Sequence, residues 1–295
     1  MVRAWLFCLC LLLGLPAQAY NITHIRDYDE IVASGELRVA LYQDFPPYSF
    51  MQNGEPAGVD VALAKALAEG LGVRLSIQWM QADETIDGDL RNHLWKGHYL
   101  RPGEVADVML RVPYDQDFSN RRDELGLPKN ELVHMFGPYQ RERWQAAFDP
   151  GKIDAVPSIA IFQYYPVGVE EDSVPSFYLG SVMNGRLAGM IHHYRTLGVA
   201  FDAMLKGEVN AVMGTQAEID WLLAQHPQAG MQLTENAYPN IGKQVWELGM
   251  AVHDSNRQLA YALGDEVESM ILDGRMAAIY AAQGLRYLPP DRYAQ

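Results

Sequence analysis

Two sets of apolar strands, each running through a turn into an amphipathic helix, restrict this chain more than any other feature. They are separated by one extended stretch and followed by another. In the first set "LRVALY" leads to a helix over Asp60–Leu71, "VRLSIQWM" to one over Asp89–Trp95, and "ADVMLRVP" follows. In the second set "YPVGVEED" precedes a helix over Val174–Leu179, "LAGMIHHY" one over Val199–Lys206, and "VNAVMG" one over Thr215–Ala224. The separators are "MFGPYQRERWQAAFDPGK" and "ENAYPNIGKQVWELGMAV". Two crossings predict two α/β lobes. The tail from Asn256 to Gln283 sets Leu259, Leu263, Val267, Ile271, Met276 and Ile279 at helical spacing, with Gly284 as a stop. It is predicted to pack back on the first lobe.

At the N-terminus Arg3 precedes an apolar run from Ala4 to Leu15 and then "PAQA", the pattern of a cleavable secretory signal over residues 1–19. The run is too short to span a bilayer. Both cysteines, Cys8 and Cys10, fall inside it, so the exported chain is predicted to carry neither a disulfide nor cysteine chemistry. Cys10 follows Phe7, Cys8 and Leu9 and lacks the small residues that lipidation requires. The remaining 276 residues hold 22 basic and 37 acidic side chains, a net charge of −15. Such a surface repels nucleic acid and anionic lipid, which bind through Lys and Arg. It is read as a charge for solubility.

With these residues quoted, "LRVALYQDFPPYSFMQNGEPAGVDVALAKALAEGLG" resembles the opening of the periplasmic solute-binding proteins of family 3, the amino-acid ABC transporter type. "PVGVEEDS" and "LKGEVNAVMG" resemble that family's second-lobe motifs, and "VESMILDGRMAAIYAAQG" its closing helices. The resemblance covers most of the exported chain. It implies the type II periplasmic binding protein fold, α/β, with two lobes joined by two extended hinge strands and a ligand gripped as they close. Lobe 1 is then expected over 20–140 and 246–295, and lobe 2 over 141–245. In such sheets ligands sit beyond the carboxyl ends of the strands, where the loop of Tyr42, Phe45, Pro46, Pro47 and Tyr48 opens. The prolines lower the ordering cost of binding, and the aromatics offer faces for an apolar or cationic group. By resemblance Tyr42 and Phe45 face the cleft. Tyr48 and Phe50 are read as core, and Asp60 as the N-cap of its helix.

The family holds a ligand carboxylate with an arginine beyond a Ser/Thr-rich strand end, because a guanidinium fork matches a carboxylate. Here the aligned position is near Ser119, while Arg121 and Arg122 fall late and Arg111 falls early. Arg111 is the candidate anion anchor, with Tyr114 beside it. The acidic positions that meet an ammonium group hold Asn210 and Thr215, neither able to neutralise a cation; Thr215 is kept as a polar site residue. Ser173, at a helix N-terminus, is placed to help hold an anion.

A second resemblance, in "LRNHLWKGHYLRPGEVADVMLRVPYD", is to the relatives encoded with periplasmic PQQ-dependent alcohol dehydrogenases. It rests on Arg91, Asn92, Leu94, Asp107, Val108, Val112 and Pro113. The leading expectation is a periplasmic monomer, not an enzyme and without cofactor or metal. It captures a small polar organic solute, an amino acid or an organic acid, for an ABC transporter permease. The alternative partner is a periplasmic quinoprotein dehydrogenase. A third reading is a periplasmic dehydratase for prephenate-like substrates, using acids such as Asp115 and Asp117. His192 and His193 are adjacent on a strand and point to opposite faces, so they do not share an ion. His98 and His134 have no partner at metal-ligand spacing.

Overall fold

The computed structural model describes residues 23–294. The expected signal over 1–19, with Arg3, Cys8 and Cys10, lies outside the described residues. The strands are β1 (Glu36–Tyr42), β2 (Phe50–Gln52), β3 (Glu55–Ala57), β4 (Arg74–Met80), β5 (Val108–Pro113) and β6 (Val133–Phe148). They continue with β7 (Val167–Glu170), β8 (Ile191–Tyr194), β9 (Ala211–Thr215), β10 (Gln232–Leu233) and β11 (Val245–His253). The helices are α1 (Tyr28–Ser34), α2 (Val59–Gly70), α3 (Ile86–Leu90), α4 (Gln116–Ser119), α5 (Val174–Gly185), α6 (Leu197–Leu205), α7 (Gln216–Gln225), α8 (Arg257–Leu272) and α9 (Arg275–Ala281). Among the described residues no helix is long and apolar enough to cross a membrane.

The main sheet runs β4-β1-β5-β11-β6-β9-β7-β8, with β10 beside β6; β2 and β3 form a separate hairpin. Parallel pairs β1–β4, β1–β5, β7–β9 and β7–β8 occupy the two ends, as strand-turn-helix units require. The centre is antiparallel, and one strand explains the two halves. Strand β6 pairs with β11 up to Arg143 and with β9 from Trp144 onward, so the chain leaves one half and enters the other without a break in strand geometry. It returns where β11 begins, at Val245. The fold is therefore the two-lobed α/β architecture, with β6 and β11 as its two crossings.

Each half has its own core. On one face of the first, Leu63 and Leu67 of α2, Leu263 and Val267 of α8, and Met276 and Tyr280 of α9 close over Val39 and Leu41. Ala40, Met80, Leu90, Leu94 and Met109 fill the opposite face. In the second half one cluster gathers Phe148, Phe162, Val167, Leu179 and Met213, and another Phe201, Met204, Val212 and Ile219. The tail helices thus return to the first half, as their apolar spacing predicts.

Several local expectations are corrected. The N-cap of α2 is Gly58, not Asp60. The first two amides of α2 are satisfied by loop carbonyls, Val59 N–H by Pro47 at 3.1 Å and Asp60 N–H by Tyr48 at 2.8 Å, so the Asp60 carboxylate is left for other work. The helix expected over 89–95 is two pieces, α3 and a π-helical turn over Arg91–Trp95. Helix α5 outruns its expected end but is broken at Val182–Asn184. The second extended stretch is a strand only from Val245.

Candidate functional site

The loop after β1 folds back on itself, with the amide of Phe45 on the Ser49 carbonyl at 2.9 Å and Ser49 Oγ donating to the Tyr42 carbonyl at 2.6 Å. This packs three rings in sequence. Tyr42 meets Phe45 edge-on at 6.0 Å, and Phe45 tilts against Tyr48 at 4.8 Å. The loop forms one wall of a cavity of about 410 Å³, a size suited to a small organic ligand. Tyr42, Phe45, Tyr48, Arg111, Pro113, Glu142, Thr215, Trp246 and Leu248 are among its lining residues. These come from the first half, from both crossing strands and, through Thr215, from the second half. The cavity lies where the halves meet.

Two further cavities adjoin it. One of about 540 Å³ shares Ile86, Pro113 and Trp246 with the first and adds Asp115, Asp117, Arg121, Val174 and Lys243. Another of about 440 Å³ shares Asp44 and Phe45 and adds Glu170, Asp202, Glu218 and Trp221.

Beneath the aromatic loop lies a buried polar network. Arg111, at the end of β5, is 7% exposed. Its backbone takes the left-handed conformation at φ +61°, unusual for a non-glycine residue, while its amide donates to Tyr139 Oη at 3.0 Å. Nε donates to Asp60 Oδ2 at 2.7 Å and Nη2 to Asp60 Oδ1 at 3.0 Å. Nη2 also reaches Gln140 Oε1 at 3.1 Å, and the guanidinium carbon lies 3.5 Å from the centre of the Tyr48 ring. Tyr280 Oη donates to the same Gln140 oxygen at 2.6 Å.

Glu142, on β6, is equally buried. Its Oε2 accepts from Tyr48 Oη at 2.8 Å and Gln140 Nε2 at 3.1 Å, and its Oε1 from the Arg143 amide at 3.0 Å. Burial pushes its carboxyl up, against the pull of Arg111 and of these hydrogen bonds. The Tyr48 hydroxyl also lies 2.8 Å from Thr215 Oγ1, which lies 2.7 Å from Glu218 Oε2; with the Tyr48 proton on Glu142, the single Thr215 proton goes to Tyr48 or to Glu218. A continuous chain of contacts therefore runs from Glu142 in the crossing strand through both halves to Glu218. Glu218 is pushed up to about 7, first by burial, with Glu170 and Glu142 adding repulsion while the Thr215 bonds pull the other way. Among the described residues neither Glu142 nor Glu218 forms an ion pair.

Of the six residues expected in the site, Tyr42, Phe45, Arg111 and Thr215 line the one cavity. Tyr42 is held there by donating to Asp89 Oδ2 at 2.8 Å. Arg111 is present, but as half of a buried ion pair with Asp60 rather than with a fork open to an anion. Tyr114 is set beside it by its amide on the Glu247 carbonyl at 2.9 Å, and its ring is not among the cavity's lining groups. Ser173 is the N-cap of α5, its hydroxyl donating to the Glu170 carbonyl at 2.6 Å; its neighbour Val174, not Ser173, lines the adjoining cavity. Tyr48 is buried as expected of core, yet its ring and hydroxyl serve the cavity. Phe50 packs edge-on against Trp221 across the two halves. Sequence reasoning missed Glu142, Gln140 and Trp246 as lining or supporting groups. Their only signal is position on the extended separators, where alternation puts every second side chain inward.

Of the residues behind the dehydrogenase-associated resemblance, Pro113 lines the cavity and Arg91 is half-exposed on Asp83, while the other five have internal duties. Asn92 Nδ2 donates to Asp83 at 2.9 Å, Asp107 pairs with Arg26 and accepts from the Arg38 amide, and Leu94, Val108 and Val112 are core.

Residues 37–283 match the model of the bacterial extracellular solute-binding proteins, family 3. The cyclohexadienyl dehydratase of Pseudomonas aeruginosa is 41% identical over 116 residues, which span 38% of this chain and 42% of that protein. An ancestral cationic amino acid solute-binding protein superposes with a TM-score of 0.65 at 18% identity, over 87% of this chain and 98% of that one. An amino acid ABC transporter substrate-binding protein from Streptococcus pneumoniae, bound to L-arginine, gives 0.57 at 18% identity, over 88% and 100%. At such identities these structures speak for the fold.

Proposed function

The chain belongs to the bacterial extracellular solute-binding proteins of family 3, and from that premise we propose that it captures a small polar organic solute for an ABC transporter. Membership implies a periplasmic or extracellular location and a small-molecule ligand. Capture occurs by closure of lobe 1 (20–140 with 246–295) on lobe 2 (141–245). The observation that carries this reading is the aromatic cavity between the halves. Its walls include the loop after β1, both crossing strands and Thr215 of the second half, so hinge motion at β6 and β11 opens or shuts it. A ligand that binds only the folded state raises stability by mass action. Thermal shift of the purified protein against amino acids, organic acids and amines is therefore the test, with stabilisation by at least one class expected. No shift with any of them at millimolar concentration would count against solute capture.

The dehydratase reading is favoured by one observation, the partial similarity to the cyclohexadienyl dehydratase. Glu218, with its carboxyl near neutrality, is the side chain suited to proton transfer in that case. Turnover of prephenate or arogenate by clean protein, abolished in Glu218→Gln, is what this reading requires. Inactivity on both substrates removes it.

A further inference from the structure

We infer that the floor of the cleft receives the positively charged end of an organic amine, and that Asp60 sets this preference by occupying the guanidinium fork of Arg111. The inference rests on the solute-binding reading and narrows it.

A cleft that holds a carboxylate needs a cationic fork free to meet it. Among the described residues Arg111 is the one cationic residue on the cavity's lining, and its Nε and Nη2 edge is closed on both oxygens of Asp60, with Gln140 sharing Nη2. Tyr48 covers one face of the guanidinium. Prising Arg111 away would leave Asp60, 2% exposed, as an unpaired buried charge. Nη1 finds no acceptor among the described residues, but its neighbour Nη2 is taken by Asp60 and Gln140, so the Nη1/Nη2 edge has no second free nitrogen for a bidentate grip.

The opposite requirement is met in the same cavity. Glu142 reaches the lining, 2% exposed, with hydrogen-bond donors on both oxygens but no ion pair. Arg111 acts on it only through space, its fork being held by Asp60, so a cationic group of a ligand would be its first direct ion-pair partner. Tyr42, Phe45 and Trp246 line the same cavity and offer aromatic faces to an ammonium or guanidinium group. Asp44 is the remaining charged residue of the lining. In the adjoining cavity beyond Phe45, Asp202 and Glu170 add acidic groups, and Glu218, raised to about 7, carries only part of a charge at neutral pH. In the other, Lys243 is paired with Asp115 at 2.9 Å and Arg121 with Asp87 at 3.2 Å, so the cations at that mouth are also committed.

Titration calorimetry of the purified protein with matched probes tests this: agmatine against arginine, tyramine against tyrosine, and phenethylamine against phenylalanine and 3-phenylpropionate. The expected result is that at least one amine binds, at least tenfold more tightly than its carboxylate-bearing counterpart. Glu142→Gln weakens that amine at least tenfold, and Asp60→Asn, by freeing Arg111, narrows or reverses the preference. If Asp60→Asn fails to fold, Glu142→Gln carries the test alone. Tighter binding of the amino acids or of 3-phenylpropionate overturns the inference and leaves solute capture standing. So does an amine affinity unmoved in Glu142→Gln. Absence of binding by every probe, together with no thermal shift from any solute class, overturns both.

Discussion

At the residue scale the Asp60–Arg111 pair decides most. It joins positions 51 apart, both buried, at a point where the backbone of the first lobe turns left-handed. Removing either partner leaves an uncompensated buried charge, so Arg111→Ala and Asp60→Ala are each expected to cost about 3–5 kcal/mol in urea unfolding. The double variant should cost clearly less than the two losses added, because the second truncation removes the orphan left by the first. Additive losses would show that the pair is not coupled. Glu218 offers a separate test. Its folded-state carboxyl is raised from 4.5 to about 7, so between those values the folded protein binds more protons than the unfolded chain. Stability therefore falls as pH rises through that window, by at most about 3 kcal/mol. Glu218→Gln keeps the reciprocal cap with Thr215 but cannot titrate, and should flatten the slope of urea midpoint against pH. None of this was legible in the sequence. Arg111 stands out as a charge at a strand end, but whether it faces a ligand or a carboxylate from a helix start depends on packing.

At the element scale the sequence is far more informative, because strand–turn–helix units are written in local periodicity. Helices α2, α6 and α7 begin and end within two residues of the expectation, and α8 and α9 return to the first half on the apolar positions that mark them. The exceptions have local causes. Asp60 looks like a cap by residue type, yet the loop carbonyls of Pro47 and Tyr48 already take the helix's first amides. The break at Val182–Asn184 lies where Met183 and Asn184 turn left-handed at φ +55° and +60°, which no apolar spacing foretells. Gly58 shows how an element junction positions the site. Its φ is +109°, and a Cβ there would stand 2.2 Å from the Tyr48 carbonyl oxygen and 2.8 Å from that of Pro47. Gly58→Ala is expected to push the aromatic loop off α2, costing more than about 2 kcal/mol from strain and overpacking together, measured by chemical denaturation. Ligand affinity should fall with it. Unchanged stability would mean that the loop does not lean on the helix start.

At the scale of the whole molecule the two-lobed plan was readable from the order of extended and strand-helix segments, while the contacts that hold the lobes together were not, since they join residues far apart in the chain. Contacts that cross between the halves include Tyr48 Oη to Thr215 Oγ1 at 2.8 Å, the ring of Phe50 on Trp221, Lys243 on Asp115 at 2.9 Å, and Arg286 on both oxygens of Asp220 at 2.7–3.0 Å. Their weights differ. Arg286 is 48% exposed at its side chain, so solvent screens its bond to Asp220 in part, although Asp220 itself is 5% exposed. The Tyr48 hydroxyl is buried and links the crossing strand, through Glu142, to the start of α7 in the second half. Losing it leaves Glu142 short of a donor and Thr215 without its contact across the cleft, and the second loss falls on the closed form. A ligand shifts the hinge equilibrium only by its differential affinity for the closed form, so loosening that form weakens binding by the same factor. Tyr48→Phe is therefore expected to enlarge the radius of gyration of the ligand-free protein in small-angle scattering and to weaken ligand binding about tenfold, with most of the opening recovered at saturating ligand. Arg286→Gln, which keeps an amide donor for Asp220, should change each by less than Tyr48→Phe does. If the two variants scatter alike, the buried hydroxyl is not the latch and the hinge angle is set elsewhere in β6 and β11.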